Sequence, residues 1–333
     1  MNLVELYKRF KPSYYQSLRD LTIHVGMLSS TIYAMWYTKE SYMSYMLVPL
    51  LSLLHVKSLV ILHDCGHNSF TPCKKLNYII GTLLGINIFI PFSWTYDHLI
   101  HHKTSGNKTN NSFHKQNETI HHTFKDYYNM NIYSKNITKL LRIPCIYIII
   151  LPFISLFIIK FRLDTLSDKI IYNKYNISIY KILFDIIINH IWIIILYSYA
   201  YIQYPLSVLL SYSIDMAIFH NQHTFNKPYV KINKEWSKEN SGLKGSSFIQ
   251  VPSYLKFFTY GIEYHHIHHM VSSIPGYNLK EAHEYLEKTE PEFKNIVKLS
   301  MNDCYHNLWL TLYDEDADRY ISFKEADDKI KND

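Results

Sequence analysis

Gly261–Met270 reads GIEYHHIHHM and holds four histidines within five positions: His265, His266, His268 and His269. Taken as HxxHH, His265, His268 and His269 share one helix face, because residues three and four apart are neighbours there. The pattern recurs. His98, His101 and His102 have the same spacing in DHLIHH, and His63 and His67 form HxxxH in HDCGH. Three clusters far apart in sequence predict one site assembled in space. Neutral imidazole is a good ligand for zinc, copper, iron and nickel. A structural zinc site takes about four ligands, and zinc does not change oxidation state. Eight or more clustered histidines exceed one ion and suit two, which points to a redox-capable, all-nitrogen site of the iron and oxygen kind. The bland alternative is a set of surface histidines, since the chain has 19 in all. It requires three correctly spaced clusters to coincide.

The 333 residues include 30 Tyr and 17 Phe but only 9 Gly, so flexible linkers are scarce. Net charge is +6 and is spread widely, with no block of five like charges. A nucleic-acid role therefore has little support. A mild basic bias suits an anionic membrane surface or an acidic redox partner. Cys65, Cys73, Cys145 and Cys304 show no CxxC spacing, which predicts a reducing compartment rather than a disulfide framework. The opening MNLVELYKRFKPSYY lacks the apolar region of a signal peptide.

Beyond the boxes, the runs HDCGHNSF, WTYDHLIHHKTSGN, QHTFN, GSSFIQVP and YHHIHHMVSSIPGYNL stand in this order, followed by LWLTLYDEDADRYISF. Together they resemble the membrane-bound fatty acid desaturases, in particular the acyl-lipid, omega-6 (delta-12)-like branch. The resemblance covers roughly residues 40 to 324. It implies nine ligands to two iron ions: His63, His67, His98, His101, His102, His223, His265, His268 and His269. His223 has the weakest local signal, and His220 competes with it in FHNQHTF. Asp64, Asn68, Asp97, Asn221, Gln222 and Glu263 flank the clusters. Some should orient ligand histidines, since metal-bound imidazoles usually donate their second nitrogen to an oxygen. His266 is the odd member of its cluster and is expected outside the ligand set. His114, His121 and His122 read as surface residues of a polar loop, and His24, His55 and His190 as buried histidines of apolar runs. Trp94 and Tyr96 either line an acyl tunnel or simply pack near the membrane surface.

The expected architecture is all-α: a single integral membrane domain over 1–333, with four transmembrane helices and a cytosolic, histidine-rich di-iron cap. Hydropathy places spans at about 21–38, 43–62, 183–202 and 205–219. Residues 78–93 and 143–161 are expected to be re-entrant or interfacial. The first is short and holds two glycines, an Asn and a Pro. The second has Pro152 mid-run, and an even number of crossings is needed to keep every histidine on one side. Residues 220–333 form the cap. Lys57 and Asp215 are intramembrane charges of opposite sign, each roughly 9–12 Å below the ligand level at about 1.5 Å per residue. One reading pairs them under the metal site. The other lets Lys57 snorkel and Asp215 bind water or a hydroxyl.

The function implied is O2-dependent insertion of a cis double bond into a lipid-linked acyl chain. A hydroxylase or acetylenase built on the same boxes is the nearest alternative, and a non-catalytic membrane metal carrier or sensor is the alternative of another class. Neither a flavin nor a nicotinamide fingerprint is visible, and no HPGG stretch suggests a fused cytochrome b5 domain. Electrons should therefore come from outside the chain, and the resemblance implies cytochrome b5 or ferredoxin as their donor. The expected membrane is the endoplasmic reticulum in a eukaryote, and the inner or plasma membrane in a bacterium.

Overall fold

The computed structural model describes residues 3–108, 122–154, 178–199, 202–232 and 234–332. His114, His121 and the stretches 155–161 and 200–201 of two expected membrane segments lie outside the described residues. The helix Val48–Gly66 lies at the centre of the molecule. Proline opens it in the first turn, where a missing N–H costs nothing. Most of its residues are buried, and Leu51, Leu54, Ile61 and Leu62 are fully so. The helix stops at His67, after which Asn68 adopts φ +57°, a left-handed conformation that Asn tolerates better than most residues. That stop leaves His63 and His67 at the helix's C-terminal end.

Three other long helices surround this axis or lie near it. Tyr14–Tyr37 turns Ser17, His24, Leu28, Thr31 and Met35 inward. Its other side exposes Leu18, Ile23, Val25, Tyr33 and Trp36. Ile179–Tyr199 exposes Leu183, Phe184, Ile187, Ile191 and Ile194. Gln203–His223 packs along the central helix and ends at the histidine it carries. Small polar groups join the helices internally: His24 Nε2 lies 2.8 Å from Ser58 Oγ, and Gln203 Nε2 donates to Ser44 Oγ at 2.9 Å. His55 is buried against Tyr204 and Ser207, and His190 Nδ1 meets the Ile186 carbonyl within its own helix.

Among the described residues, Met43–Gly66 alone is both long and apolar enough to cross a membrane unbent. The pair Ile132–Leu141 and Ile146–Ile154 passes only as a broken unit, bent by 73°. The helices Tyr14–Tyr37, Ile179–Tyr199 and Gln203–His223 hold 24, 21 and 21 residues. At about 1.5 Å per residue each reaches a hydrocarbon thickness of about 30 Å. Serines and an aspartate lower the hydropathy of the first and last. Lys74–Asn87, with 14 residues, is roughly 21 Å long and shorter than that thickness.

The fold is mostly helical rather than all-α. Two small sheets tie distant parts of the polar half together. His122–Thr123 pairs in parallel with Leu312–Asp314, which pairs antiparallel with Arg319–Ile321; Phe248–Ile249 pairs in parallel with Lys298–Leu299. Short alternating stretches such as LYD and RYI suit such pairing, with Tyr313 opposite Tyr320. Their strands hold two or three residues, too few for a periodicity to show in sequence.

Candidate metal centre

Four elements deliver the histidines. The central helix brings His63 and His67, the helix Trp94–Thr104 brings His98, His101 and His102, the end of Gln203–His223 brings His223, and the short helix His265–Met270 brings the rest. The entry to that last helix is tightly shaped. Gly261 sits at φ +88°, and a Cβ there would fall 2.2 Å from the Gly276 carbonyl oxygen. Only glycine fits this approach. The helix Trp94–Thr104 is held at its start by another element, since the Ser93 N–H donates to Asp185 Oδ2 at 3.2 Å. A carboxylate at a helix N-terminus is electrostatically favoured.

The nine histidines named above converge, and they do so in two groups. His63, His67, His98, His102 and His268 form one; His101, His223, His265 and His269 form the other. Within each group the ligand-type atoms lie within 4.8 Å of one another. His102 Nε2 is 2.9 Å from both His98 Nε2 and His268 Nε2. His223 Nε2 is 3.0 Å from His101 Nε2 and 2.9 Å from His265 Nε2. Two nitrogens bound at about 2.1 Å to one centre, at right angles, would be about 3.0 Å apart. His63, His67 and His269 each hold a buried Nε2 with no partner among the described residues, an arrangement that is costly unless another group receives it. The residues therefore fit a pair of metal ions.

Protonation favours the same reading. Burial first, then neighbouring imidazoles, hold His67, His98, His101, His102, His265, His268 and His269 well below the ordinary histidine pKa. Burial lowers His223 to about 4. These side chains are neutral at pH 7, the form that binds metal.

Of the flanking residues, Asp64 touches a cluster histidine: its Oδ1 lies 3.2 Å from His63 Nδ1, while Oδ2 accepts the Gly276 N–H at 2.7 Å. Three of the other candidates bond elsewhere. Asn221 donates to the Ala217 carbonyl, Gln222 to the Ile262 carbonyl, and Glu263 accepts from Thr259. Asn68 serves the helix stop. Asp97 lies on the second-box helix and has a partner of its own. His266 turns away, with Nε2 3.1 Å from His283 Nδ1. His220 also stands apart, with Nε2 2.9 Å from the Asn307 carbonyl oxygen. The partner of His223 is one that sequence reasoning missed. Its Nδ1 donates to the Gly245 carbonyl at 3.0 Å, with Ser105 Oγ at 3.4 Å, which directs Nε2 to the group. A backbone carbonyl carries no residue-specific signal.

A cavity of about 180 Å³ opens against both groups, reaching His63, His98 and His265. Its other walls are mainly apolar, including Leu59, Val60, Ile90, Trp94, Phe219 and Ile262. Trp94 stacks on His98 with ring centroids 5.3 Å apart. Tyr96 is not among the walls. Asp215 is, and its Oδ2 is buried without a hydrogen-bond partner among the described residues.

Of the two readings for Lys57 and Asp215, the one that pairs them does not hold. Lys57 Nζ sits 3.4 Å from the Phe257 ring centroid and 4.7 Å from that of Tyr260. The reason is helical azimuth. Six residues of roughly 100° each turn Lys57 about 120° away from the His63 face, whereas eight leave Asp215 about 80° from His223. Equal depth did not mean a shared face, and the aromatic rings supply the lysine's partner.

A family model for fatty acid desaturases matches residues 40–297. The chain is 31% identical over 269 residues to a fatty acid desaturase of Bacillus subtilis (strain 168), covering 80% of this chain and 73% of that protein. The chain belongs to the fatty acid desaturase family. It is also 28% identical over 245 residues to a chloroplastic omega-6 fatty acid desaturase of Glycine max, covering 71% of this chain and 54% of that one. An sn-2 acyl-lipid omega-3 desaturase (ferredoxin) of Helianthus annuus chloroplasts is 25% identical over 295 residues, covering 81% and 63%. The desaturase thus spans between about half and two thirds of these plant relatives. Membership makes the chain an oxidoreductase of lipid metabolism, and its two histidine groups are compatible with a metal site.

Proposed function

We propose that this desaturase uses two iron ions and O2 to insert a cis double bond into a lipid-linked acyl chain, at the omega-6 (delta-12) position. The observation that carries the reading is the apolar cavity whose walls include histidines of both groups. When bound, the irons with O2 supply an oxidant strong enough for an unactivated methylene, which acid–base chemistry at neutral pH cannot attack. The chain's own residues hold and position. Asp64 and the Gly245 carbonyl fix the Nδ1 side of His63 and His223, leaving each Nε2 for metal. Leu59, Ile90, Trp94 and Phe219 exclude water and hold a chain segment beside His63 and His98, where orientation decides which carbons react.

The proposed setting is a membrane crossed four times, at about 21–38, 43–62, 183–202 and 205–219, with the histidines and residues 220–333 in the cytosol. Exposed apolar faces on Tyr14–Tyr37 and Ile179–Tyr199 support it, since soluble surfaces rarely show such continuous patches. The donor is cytochrome b5 or a ferredoxin; the Helianthus relative's name specifies ferredoxin. A hydroxylase or acetylenase outcome would use the same walls. A metal carrier would not need an apolar cavity beside its ligands.

Expression in yeast, with fatty acids profiled by gas chromatography and double bonds located, tests the reading. A new cis-unsaturated acid that disappears with His268→Ala is the expected result. Hydroxylated or acetylenic products would replace the proposed outcome. Metal analysis showing zinc alone, or metal flux without lipid change, would overturn it.

A further inference from the structure

Residues 227–232 and 234–245 run beside the histidine groups and touch their surroundings at several points. The Gly245 carbonyl receives His223 Nδ1 at 3.0 Å. Gly242 lies so close to the third-box helix that a Cβ would fall 2.7 Å from Met270 Cγ and 3.0 Å from Met270 N. Trp236 Nε1 and Ser241 Oγ both donate to the Ser105 carbonyl, at 2.8 and 2.7 Å, just beyond the second box. The segment, called the lid below, therefore packs against the centre. It sits past the C-terminal ends of the helices Val48–Gly66 and Gln203–His223, which carry His63 and His223.

The lid's outer side is basic. Lys227, Lys234, Lys238 and Lys244 are exposed, and among the described residues none of them forms an ion pair. Five lysines against Glu235 and Glu239 give residues 227–245 a net charge of +3. Trp236, half-buried, supplies an aromatic at the middle of the patch. Uncompensated charge of one sign steers an oppositely charged partner and sets its approach.

We propose that this lysine-bearing lid is the docking surface for an acidic one-electron carrier protein, which delivers its electrons through the segment that holds His223. The proposal rests on the desaturase reading and adds the place of electron entry. Its balance is fixed. Two carriers are each oxidised by one electron; these two electrons, two protons and the two hydrogens removed from the acyl chain reduce one O2 to two waters, and one C=C bond forms.

The test uses the iron-loaded protein in nanodiscs of uncharged lipid, with a purified acidic [2Fe–2S] ferredoxin as the probe. Calorimetry should show binding that weakens steeply with salt. Lys234→Glu/Lys238→Glu should lower the affinity at least tenfold, and Lys288→Glu/Lys294→Glu, a reversal of equal size elsewhere, should change it less than twofold. A single turnover, reduced anaerobically with dithionite and then exposed to O2, should give the same product yield in the lid variant as in the wild type. No ferredoxin binding by the wild type would overturn the proposal. So would equal losses in both variants, or a lid variant that binds ferredoxin normally but loses association with vesicles containing anionic lipid. Absence of product from the wild type in the single-turnover assay would instead remove the desaturase reading itself.

Discussion

Asp64 serves two masters at the scale of one residue. It faces His63 Nδ1 and also receives the backbone N–H of Gly276, 212 positions away. An orienting carboxylate of this kind is typically worth 10–100-fold in metal affinity. Asp64→Asn is therefore expected to lower retained iron by about that factor under chelator challenge, measured by elemental analysis. Unchanged retention would show that the carboxylate serves only the Gly276 turn. Asp215 poses a different case. Its buried Oδ2 lacks a partner among the described residues in a mainly apolar cavity, which is unfavourable for an alkyl chain passing beside it. Asp215→Leu should leave metal content intact and shift the chain lengths accepted, read by gas chromatography. An identical product profile would place the carboxyl off the chain's path. Since Lys57 faces Phe257 and Tyr260, the double swap Lys57→Asp/Asp215→Lys should recover nothing beyond the worse single variant.

At the scale of elements, the site depends on how a six-residue helix is aimed. Gly261 and Gly276 approach backbone to backbone, and this contact fixes the entry to His265–Met270. Gly261→Ala would combine a strained φ with a clash against a carbonyl that has no flexible end to yield. A loss of stability above about 2 kcal/mol is expected, seen as a lower unfolding midpoint together with lost iron. A variant of wild-type stability that still binds two irons would contradict this account. The second-box helix has the complementary arrangement. Its N-terminus is anchored from Ile179–Tyr199 through Asp185, so a helix that supplies no histidine to the centre helps position three of them.

The whole molecule carries a cost for keeping so many imidazoles neutral. His220 is lowered to about 3 and His223 to about 4, both by burial, against 6.5 for the free side chain. Between those values the unfolded chain binds protons that the folded chain refuses. The associated stability is complete above pH 6.5 and is lost as pH falls towards 4, at up to about 1.4 kcal/mol per pH unit for each group. The unfolding temperature of the metal-free protein should thus drop between pH 7 and 5 in a fluorescence melt. A flat profile would mean that these histidines are accessible to protons in the folded state. Topology is testable at the same scale. Tags at residues 240 and 333 should be reached from the same side, and a tag near 170 appearing on the opposite side would make 143–161 a crossing and remove the four-span count.

The histidine spacings carried the site because metal ligands must be particular side chains on shared helix faces, and both constraints are written in residue type and period. His63, His67, His98, His101, His102, His265, His268 and His269 were legible in this way, and His223 through family resemblance. Apolar runs likewise marked the long helices, since burying or exposing a face to lipid needs a continuous supply of apolar residues. Three things needed the tertiary structure. The division of the nine histidines into five and four depends on which nitrogens converge, and His101 and His102, neighbours in sequence, fall in different groups. The hold on His223 comes from the Gly245 carbonyl, a group that every residue has. Lys57 and Asp215 have matching charge and depth, but azimuth and competing partners decide contact, and Phe257 and Tyr260 reach the lysine from a segment some 200 residues away. Composition records what a residue can do, whereas direction in space arises only when the helices pack.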